Sequence, residues 1–269
     1  MNSVTLNNGV KMPLLGLGTW DLRGETCVET VRAALELGYR LVDTARMYGN
    51  EREVGEGLRR SGVSRSEVFV TTKLYRTADS YAKAKRDIDA SLRALGLSCV
   101  DLLLVHEPYP SAAEMYRALE EALREGKARA IGVSNFDETR YAAFLKECGT
   151  VPAVNQLECH IYFQRWAFQE QMAAVGTVLQ AWSPLAQNID GAANHPVLRE
   201  IGAKYGKTAA QIGLRFLTQR DIPVIPKTKR PARLKENMAL FDFSLSEEDM
   251  AVIRGLDRNE TLFPWTRAY

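Results

Sequence analysis

The sequence is poor in the side chains that crosslink small proteins or hold structural metals. Its 269 residues include only three histidines and four cysteines, Cys27, Cys99, Cys148 and Cys159. No two cysteines form a C-x-x-C pair, and no spacing resembles that of a zinc finger. We therefore expect free thiols in a reducing compartment and no metal site.

Long apolar runs and an excess of one charge are also missing. No apolar run reaches the ~18 residues that a membrane span needs. The first nine residues lack the basic stretch and the apolar core of a signal peptide. The 35 basic and 33 acidic residues leave a net charge of +2, which is too even for a dedicated nucleic-acid binder. Composition predicts a cytoplasmic globular protein that binds neither membrane nor nucleic acid.

Familiar nucleotide and hydrolase motifs are absent too. Gly16-Leu-Gly18 and Gly55-Glu-Gly57 lack the third glycine of the Rossmann fingerprint. There is no P-loop and no G-x-S-x-G elbow, and His106-Glu107 is not continued into H-E-x-x-H. Any nucleotide must therefore be bound by another device.

The sequence does contain a regular alternation of short apolar runs and amphipathic helical segments. The spacing of the runs is that of one strand and one helix, which predicts an α/β fold, a (β/α)₈ TIM barrel in a single domain over residues 1–269. A doubly wound open sheet is the alternative. The predicted strands are Leu14–Gly18, Arg40–Thr44, Val68–Leu74, Cys99–His106, Ala128–Asn135, Ala153–Glu158, Thr177–Pro184 and Ile222–Thr228.

Turn and cap residues add detail at both ends of the chain. Asn7-Asn8-Gly9 predicts a β-hairpin before the barrel. The long last interval predicts two extra helices near the C-terminus, Pro196–Tyr205 and Thr208–Arg220. Thr208 and Ser111 are each followed three residues later by Gln or Glu, which predicts a capping box at both helix starts.

Polar side chains follow the apolar runs where the strands are predicted to end. The carboxyl ends of barrel strands meet at one rim, and that rim holds the active site. Each residue alone has a plain alternative, such as a helix cap or a solvated strand end, but their recurrence predicts a functional site. They are Asp43, Lys73, His106, Ser134, Asn135, Gln156, Trp182, Ser183, Lys227 and Thr228.

Four side chains of this set and its surroundings suit carbonyl reduction, which needs a proton donor to the carbonyl oxygen. Tyr48 is protonated at neutral pH. A lysine ammonium at Lys73 would stabilise its phenolate, and the Asp43 carboxylate would keep that lysine charged. His106 would hydrogen-bond the carbonyl oxygen.

These residues occur within motifs that resemble those of the aldo-keto reductase family, in particular bacterial members of the diketogluconate reductase type. The motifs occur in order over essentially the whole chain. They are Asp43-Thr-Ala-Arg-Met-Tyr48, Thr71-Thr-Lys73, Asp101-Leu-Leu-Leu-Val-His106, Gly132-Val-Ser134-Asn135, Asn155-Gln156-Leu-Glu158-Cys-His160, Ile225-Pro226-Lys227-Thr228 and Arg233-Leu-Lys-Glu236-Asn237.

The resemblance implies a metal-free, NADPH-dependent reductase of small carbonyl compounds such as aldehydes, diketones, α-ketoesters or keto sugars, with a monomer as the expected state. It implies Tyr48 as the acid, tuned by Lys73 and Asp43, and a substrate pocket formed by Trp20, Tyr48, His106 and Glu107. The implied cofactor-binding residues are Gly18, Thr19, Ser134, Asn135, Gln156, Trp182, Ser183, Pro184, Leu185, Ile225, Pro226, Lys227, Thr228, Arg233, Glu236 and Asn237.

Two features bear on cofactor and substrate choice. Five of the nine residues from Lys227 to Lys235 are basic and open a predicted helix, which favours a 2′-phosphate site over a solvated basic face. Glu107 stands where many family members have tryptophan. We expect its carboxylate to favour a charged His106 and to repel anionic substrates; a Glu107 turned to solvent or paired with a surface base is the alternative.

Two other functions are compatible with the same residues. One is a barrel that binds the cofactor without turnover. The other is an aldolase in which Lys73 forms a Schiff base, although this would leave the basic run without a role.

Overall fold

A computed structural model describes residues 2–267, in which parallel strands form a barrel inside a layer of helices. Within these residues seven strands pair in chain order, so each hydrogen-bonds to the next along the sequence. They are β3 (Leu17–Gly18), β4 (Leu41–Asp43), β5 (Phe69–Leu74), β6 (Val100–Val105), β7 (Ala128–Ser134), β8 (Val154–Glu158) and β9 (Val178–Trp182).

The eighth position of the barrel is held by an extended segment rather than a regular strand. Val224 makes parallel bridges to Leu15 on one side and to Ala181 on the other, and so joins the first and last strands. Pro223 and Pro226 flank this bridge and cannot donate a backbone N–H, which keeps the ladder from lengthening. The predicted TIM barrel is confirmed, but the predicted strand over residues 222–228 is reduced to this bridge.

The predicted hairpin is present at the end of the barrel where the strands begin. Its strands β1 (Ser3–Thr5) and β2 (Lys11–Pro13) pair antiparallel, and Gly9 has a φ of +83° in the turn. The side chain of Asn8 donates to the carbonyl of Arg129 at the start of β7. The hairpin therefore closes the N-terminal end of the barrel and leaves the C-terminal end open.

Helices cover the outside of the strands because each has one apolar stripe. In the helix over residues 81–95, for example, Ala84, Ile88, Leu92 and Leu95 are buried at helical spacing. The helices are α1 (Gly24–Glu36), α2 (Glu51–Arg60), α3 (Tyr81–Leu95), α4 (Ala112–Arg124), α5 (Glu138–Phe144), α6 (Trp166–Ala174), α7 (Pro196–Tyr205), α8 (Ala209–Thr218), α9 (Pro231–Met238) and α10 (Glu247–Arg254). No helix in the described part of the chain is long and apolar enough to cross a membrane.

The two extra helices are confirmed as α7 and α8, and the two predicted caps have different outcomes. Thr208 makes both hydrogen bonds of a capping box with Gln211 at the start of α8. Ser111 precedes α4 without a side-chain cap, because its hydroxyl donates to the Met115 sulfur instead. The capping box predicted at Ser111 is therefore wrong.

Candidate active site

A buried ion pair lies at the open end of the barrel. Lys73, on β5, donates from Nζ to Asp43 Oδ1 of neighbouring β4 at 2.6 Å and to the carbonyl oxygen of Thr44 at 3.0 Å. The Tyr48 hydroxyl is 3.4 Å from the same Nζ, and it comes from a short 3₁₀ turn after β4. The second carboxylate oxygen, Asp43 Oδ2, accepts from Gln156 Nε2 of β8 at 2.8 Å. The three predicted groups therefore form one continuous chain of contacts.

Burial displaces the pKa values of this chain. Burial raises the pKa of Asp43 and lowers that of Lys73, and the attraction between the two charges opposes both changes. Burial also holds the pKa of Tyr48 well above its ordinary value, and the negative charges of Asp43 and Glu107 add to this effect. Tyr48 is thus a protonated hydroxyl at neutral pH. The Lys73 ammonium is fully enclosed and held by two acceptors, a poor arrangement for the Schiff-base alternative.

His106 follows β6 and presents its ring edge-on to Tyr48, with 5.6 Å between the ring centroids. Burial, with a contribution from the Lys73 charge, holds the pKa of His106 well below its ordinary value. The expectation of a charged imidazolium is therefore wrong, because desolvation outweighs any attraction from a neighbouring carboxylate. A neutral imidazole still offers one N–H donor to a ligand.

Glu107 is buried beside this group, so neither expectation about it is met. Its Oε1 accepts from Asn135 Nδ2 at 2.7 Å, and its side chain has no basic partner within 4.0 Å in residues 2–267. Burial raises the pKa of Glu107 to about 8, against the hydrogen bond from Asn135 and the positive charge of Lys73, which lower it. Glu107 is therefore mainly a neutral acid at pH 7, not the repelling carboxylate that we expected.

The strand ends next to Glu107 bring four predicted cofactor residues together. Asn135 follows β7 with a φ of +63°, and its Oδ1 accepts from Trp182 Nε1 at the end of β9 at 2.8 Å. Ser134 donates from Oγ to the carbonyl of Gln156 at 3.0 Å. Gln156 also donates to Gln180 at 2.8 Å, a residue that the sequence analysis missed although it faces the same side of β9 as Trp182.

Two aromatic side chains of the C-terminal segment also reach the site and were not predicted. Trp265 stacks on Trp182 with 5.6 Å between centroids and 19° between planes, and Phe263 packs at 5.1 Å against the same indole. Trp20 is 52% exposed on the loop after β3. The sequence Phe263-Pro-Trp265 was the feature that could have suggested an aromatic contribution to the site.

The loops around the first and eighth barrel positions contain the next group of predicted residues. A Cβ atom at Gly18 would lie 2.6 Å from the carbonyl oxygen of Ile225, so only glycine permits this approach. The Gly18 N–H bonds the Pro226 carbonyl at 3.3 Å, and the Thr19 hydroxyl donates to the Asp43 carbonyl at 2.9 Å. Ser183, Pro184 and Leu185 begin the loop after β9, in which Ser183 has a φ of +46°.

The basic run lies at the start of α9, on the same side of the molecule. Arg230 occupies the N-cap position without a side-chain cap, and the first turn of α9 holds no acidic residue. Among the basic residues of the run, only Lys227 has a carboxylate within 4.0 Å in the described part of the chain, Asp21 at 3.7 Å. Thr228 Oγ1 accepts from the Arg230 N–H at 3.1 Å.

The two residues predicted at an adenine edge are engaged within the protein. Glu236 accepts at Oε1 from the Thr208 hydroxyl at 2.6 Å. Asn237 is buried near Tyr39, whose pKa it lowers slightly against a larger rise caused by burial. The structure therefore places Glu236 at the surface of α9 and Asn237 on its inner side.

Comparison with known proteins identifies the kind of barrel. A sequence profile of the Aldo/keto reductase family matches residues 14–258. The chain belongs to this family. Its relatives include morphine 6-dehydrogenase of Pseudomonas putida, at 42% identity over 97% of this chain and 93% of the relative. Glyoxal reductase of Bacillus subtilis is 39% identical over 98% of this chain and 95% of its own.

A solved structure agrees with this aldo-keto reductase assignment. The crystal structure of the aldo-keto reductase MGS-M4, from a deep-sea metagenome library, superposes with a TM-score of 0.95 at 40% identity and covers 97% of both chains. Methylglyoxal reductase DkgA of Escherichia coli, the diketogluconate-type relative, is 36% identical over 97% of this chain and 95% of its own. The predicted resemblance is confirmed, and this aldo-keto reductase is an oxidoreductase that acts on carbonyl groups with a nicotinamide cofactor.

Proposed function

We propose that this protein reduces small aldehydes and ketones with NADPH and that Tyr48 gives the proton to the carbonyl oxygen. The observation that carries the proposal is the contact chain from Asp43 through Lys73 to the Tyr48 hydroxyl, at 2.6 and 3.4 Å. Other polar clusters of the described chain lack a hydroxyl so coupled to a buried ammonium.

Each member of the chain has a distinct role in the proposal. NADPH, when bound, supplies the hydride that the carbonyl carbon receives. Tyr48 supplies the proton that converts the carbonyl oxygen to a hydroxyl, which leaves a phenolate. The Lys73 ammonium stabilises that phenolate, and Asp43 keeps the lysine charged in a site that would otherwise favour its neutral form.

His106 orients the substrate rather than carrying charge. Because burial keeps its imidazole neutral, it can direct one N–H at the carbonyl oxygen without first losing or gaining a proton. The edge contact with Tyr48 puts the two rings close enough to serve one carbonyl oxygen. Two donors on one oxygen would hold the carbonyl group in a fixed position for reduction.

The described residues fit a nicotinamide cofactor at one end and a phosphate at the other. The Trp182 indole, on which Trp265 stacks, is hydrogen-bonded to the amide of Asn135, and Ser134 precedes Asn135; these groups suit a carboxamide ring. The uncapped start of α9 carries cations without carboxylate partners, apart from Lys227, which is the arrangement that an anion stabilises. Lys227, Thr228 and Arg233 would hold the 2′-phosphate.

The open, partly aromatic rim and the relatives named for glyoxal and methylglyoxal reduction support a class of small substrates. We propose small neutral carbonyl compounds, among them aldehydes, diketones, α-ketoesters and keto sugars.

The test is a panel of these four classes with the purified protein and NADPH, in which cofactor absorbance and alcohol product are both measured. We expect one alcohol formed for each NADPH consumed. Tight NADPH binding without turnover on any class would instead support a cofactor-binding protein.

A further inference from the structure

Two consecutive residues at the end of β6 leave buried polar atoms without a hydrogen-bond partner in residues 2–267. They are Nδ1 of His106 and Oε2 of Glu107. Such atoms are uncommon because an unpaired buried polar group costs free energy. The proposed function gives His106 a role, but it leaves the free oxygen of Glu107 unexplained.

The hydrogen bonds around Asn135 determine where the proton of the Glu107 acid lies. An indole N–H can only donate, so the atom of Asn135 that faces Trp182 is its oxygen. The amide NH₂ of Asn135 therefore faces Glu107 and the carbonyl of His106, at 2.7 and 3.4 Å. Oε1 of Glu107 accepts that donor, so the acidic proton is on Oε2, the atom without a partner.

The titratable groups that surround Glu107 do not remove this proton at neutral pH. Burial raises the pKa of Glu107 to about 8. Lys73 on β5 pulls the pKa down, but its charge is shared with Asp43 on β4. His106 is neutral, and Tyr48 is protonated. The negative charge of an ionised Glu107 would raise the pKa of Tyr48. Glu107 directly follows His106, whose ring is in edge contact with the ring of Tyr48 at 5.6 Å between centroids.

We propose that the Glu107 Oε2 hydroxyl donates a hydrogen bond to a second oxygen of the substrate, next to the carbonyl held by Tyr48 and His106. This deepens the proposed function and rests on it. An α-dicarbonyl compound or an α-ketoester supplies that oxygen, whereas a simple aldehyde leaves the donor unpaired. A site built to pair a polar group discriminates against ligands that lack the partner. Glu107 is in this view a specificity residue.

The test compares two neutral substrates in the same enzyme, diacetyl and butanal, by kcat/KM at saturating NADPH. The measured quantity is kcat/KM for diacetyl divided by kcat/KM for butanal. Any effect of Tyr48 ionisation on catalysis cancels in this ratio. We expect the ratio to fall about 3- to 10-fold as the pH rises from well below to well above about 8, where Glu107 loses its proton.

Three variants make the origin of that fall visible. In Glu107→Gln the amide oxygen accepts from Asn135 and the amide NH₂ donates at every pH, so the ratio should stay high and flat. In Glu107→Leu no donor remains, so it should be low and flat. Glu114→Gln, which removes an exposed carboxylate paired with Arg117 at 2.8 Å, should behave as the wild type.

Several results would overturn the proposal. One is a wild-type ratio that does not change with pH, and another is a Glu107→Gln ratio that still falls. If Glu107→Leu weakens NADPH binding and leaves the ratio unchanged, the hydroxyl serves the cofactor instead. The Glu107→Gln profile decides the matter even if the leucine variant does not fold. Absence of turnover with both diacetyl and butanal would contradict the proposed function, not the role of Glu107.

Discussion

Each end of the barrel holds a buried aspartate paired with basic side chains. The two clusters differ in the number of basic side chains and in their exposure to solvent. At the N-terminal end Asp101 pairs with Arg65 and Arg129, each at 2.7 Å, and accepts the Val70 N–H at 2.9 Å. Both arginines reach solvent, with side chains 34% and 53% exposed. At the C-terminal end Asp43 has one cation, Lys73, and it is completely enclosed.

The difference separates a structural cluster from a functional one. Cations that reach water can satisfy their remaining donors there, so the Asp101 cluster holds strands together at little cost. Lys73 is enclosed, so its ammonium cannot hydrogen-bond to bulk water, and the pKa values of its neighbours are displaced. His106 Nδ1 and Glu107 Oε2, which have no hydrogen-bond partner in residues 2–267, belong to the same end of the barrel. Displaced pKa values and unpaired polar atoms gathered at a barrel mouth are characteristic of reactive sites.

Removing the Tyr48 hydroxyl should give the largest effect on kcat. It alters the cluster around Asp43 and Lys73 and leaves the Asp101 cluster intact. Tyr48→Phe keeps the ring and its contact with His106, but it removes the proposed proton donor. We expect kcat to fall about 10²- to 10⁴-fold. The dissociation constant of NADPH and the thermal midpoint should change little, because the hydroxyl's contact with Lys73 is long. Near-wild-type turnover in this variant would show that another group is the acid.

The cations of α9 extend the contrast to the cofactor, since they lack the carboxylates that the Asp101 cluster provides. We expect NADPH to bind about 30- to 1000-fold more tightly than NADH, through two partly exposed charge-assisted hydrogen bonds. Arg233→Ala should reduce this preference for NADPH about 10-fold and leave kcat at saturating cofactor unchanged. The preference should also shrink as salt is added.

Lys235→Ala is the matched control, because Lys235 is also an exposed cation on the same helix. If both variants weaken NADPH and NADH alike, the basic run acts as a general field and holds no specific phosphate. Equal dissociation constants for the two cofactors in the wild type would reject the phosphate site itself.

The same substitution at the two aspartates should separate stability from activity. Asp101→Asn leaves two arginines without a counter-charge, although both can turn to water. We expect a loss of about 1–3 kcal/mol in the free energy of unfolding, measured with denaturant, and unchanged kcat. Asp43→Asn should instead lower kcat, because the Lys73 ammonium loses its partner. If Asp101→Asn lowers kcat without lowering the free energy of unfolding, the Asp101 cluster is not purely structural and the proposed difference between the two ends of the barrel is wrong.

The sequence was most informative where one residue reports one position in the fold. Asp43, Lys73 and His106 each interrupt or follow an apolar run, so their convergence at the barrel mouth could be predicted. The eighth strand was overestimated, because its apolar pattern was strand-like while its prolines limited the pairing.

What the sequence did not predict depends on which side chains meet after folding. The prediction for Glu107 was wrong because its burial and its contact with Asn135 depend on how the ends of β6 and β7 pack together. The stacking of Trp265 on Trp182 joins segments that are far apart in the chain.

The smallest predicted effect concerns anionic substrates and follows from the corrected state of Glu107. Because its pKa is raised to about 8, Glu107 is neutral at pH 7 and can donate to a substrate carboxylate, whereas above pH 8 it is an anion that repels one. We expect kcat/KM for pyruvate, relative to ethyl pyruvate, to fall roughly three- to tenfold as the pH rises through this range. Added salt should change the fall little, since Glu107 is buried. In Glu107→Gln the ratio should stay constant, because an amide does not titrate. A ratio that falls equally in both enzymes would assign the repulsion to another anion at the mouth and would leave Glu107 without influence on charged substrates.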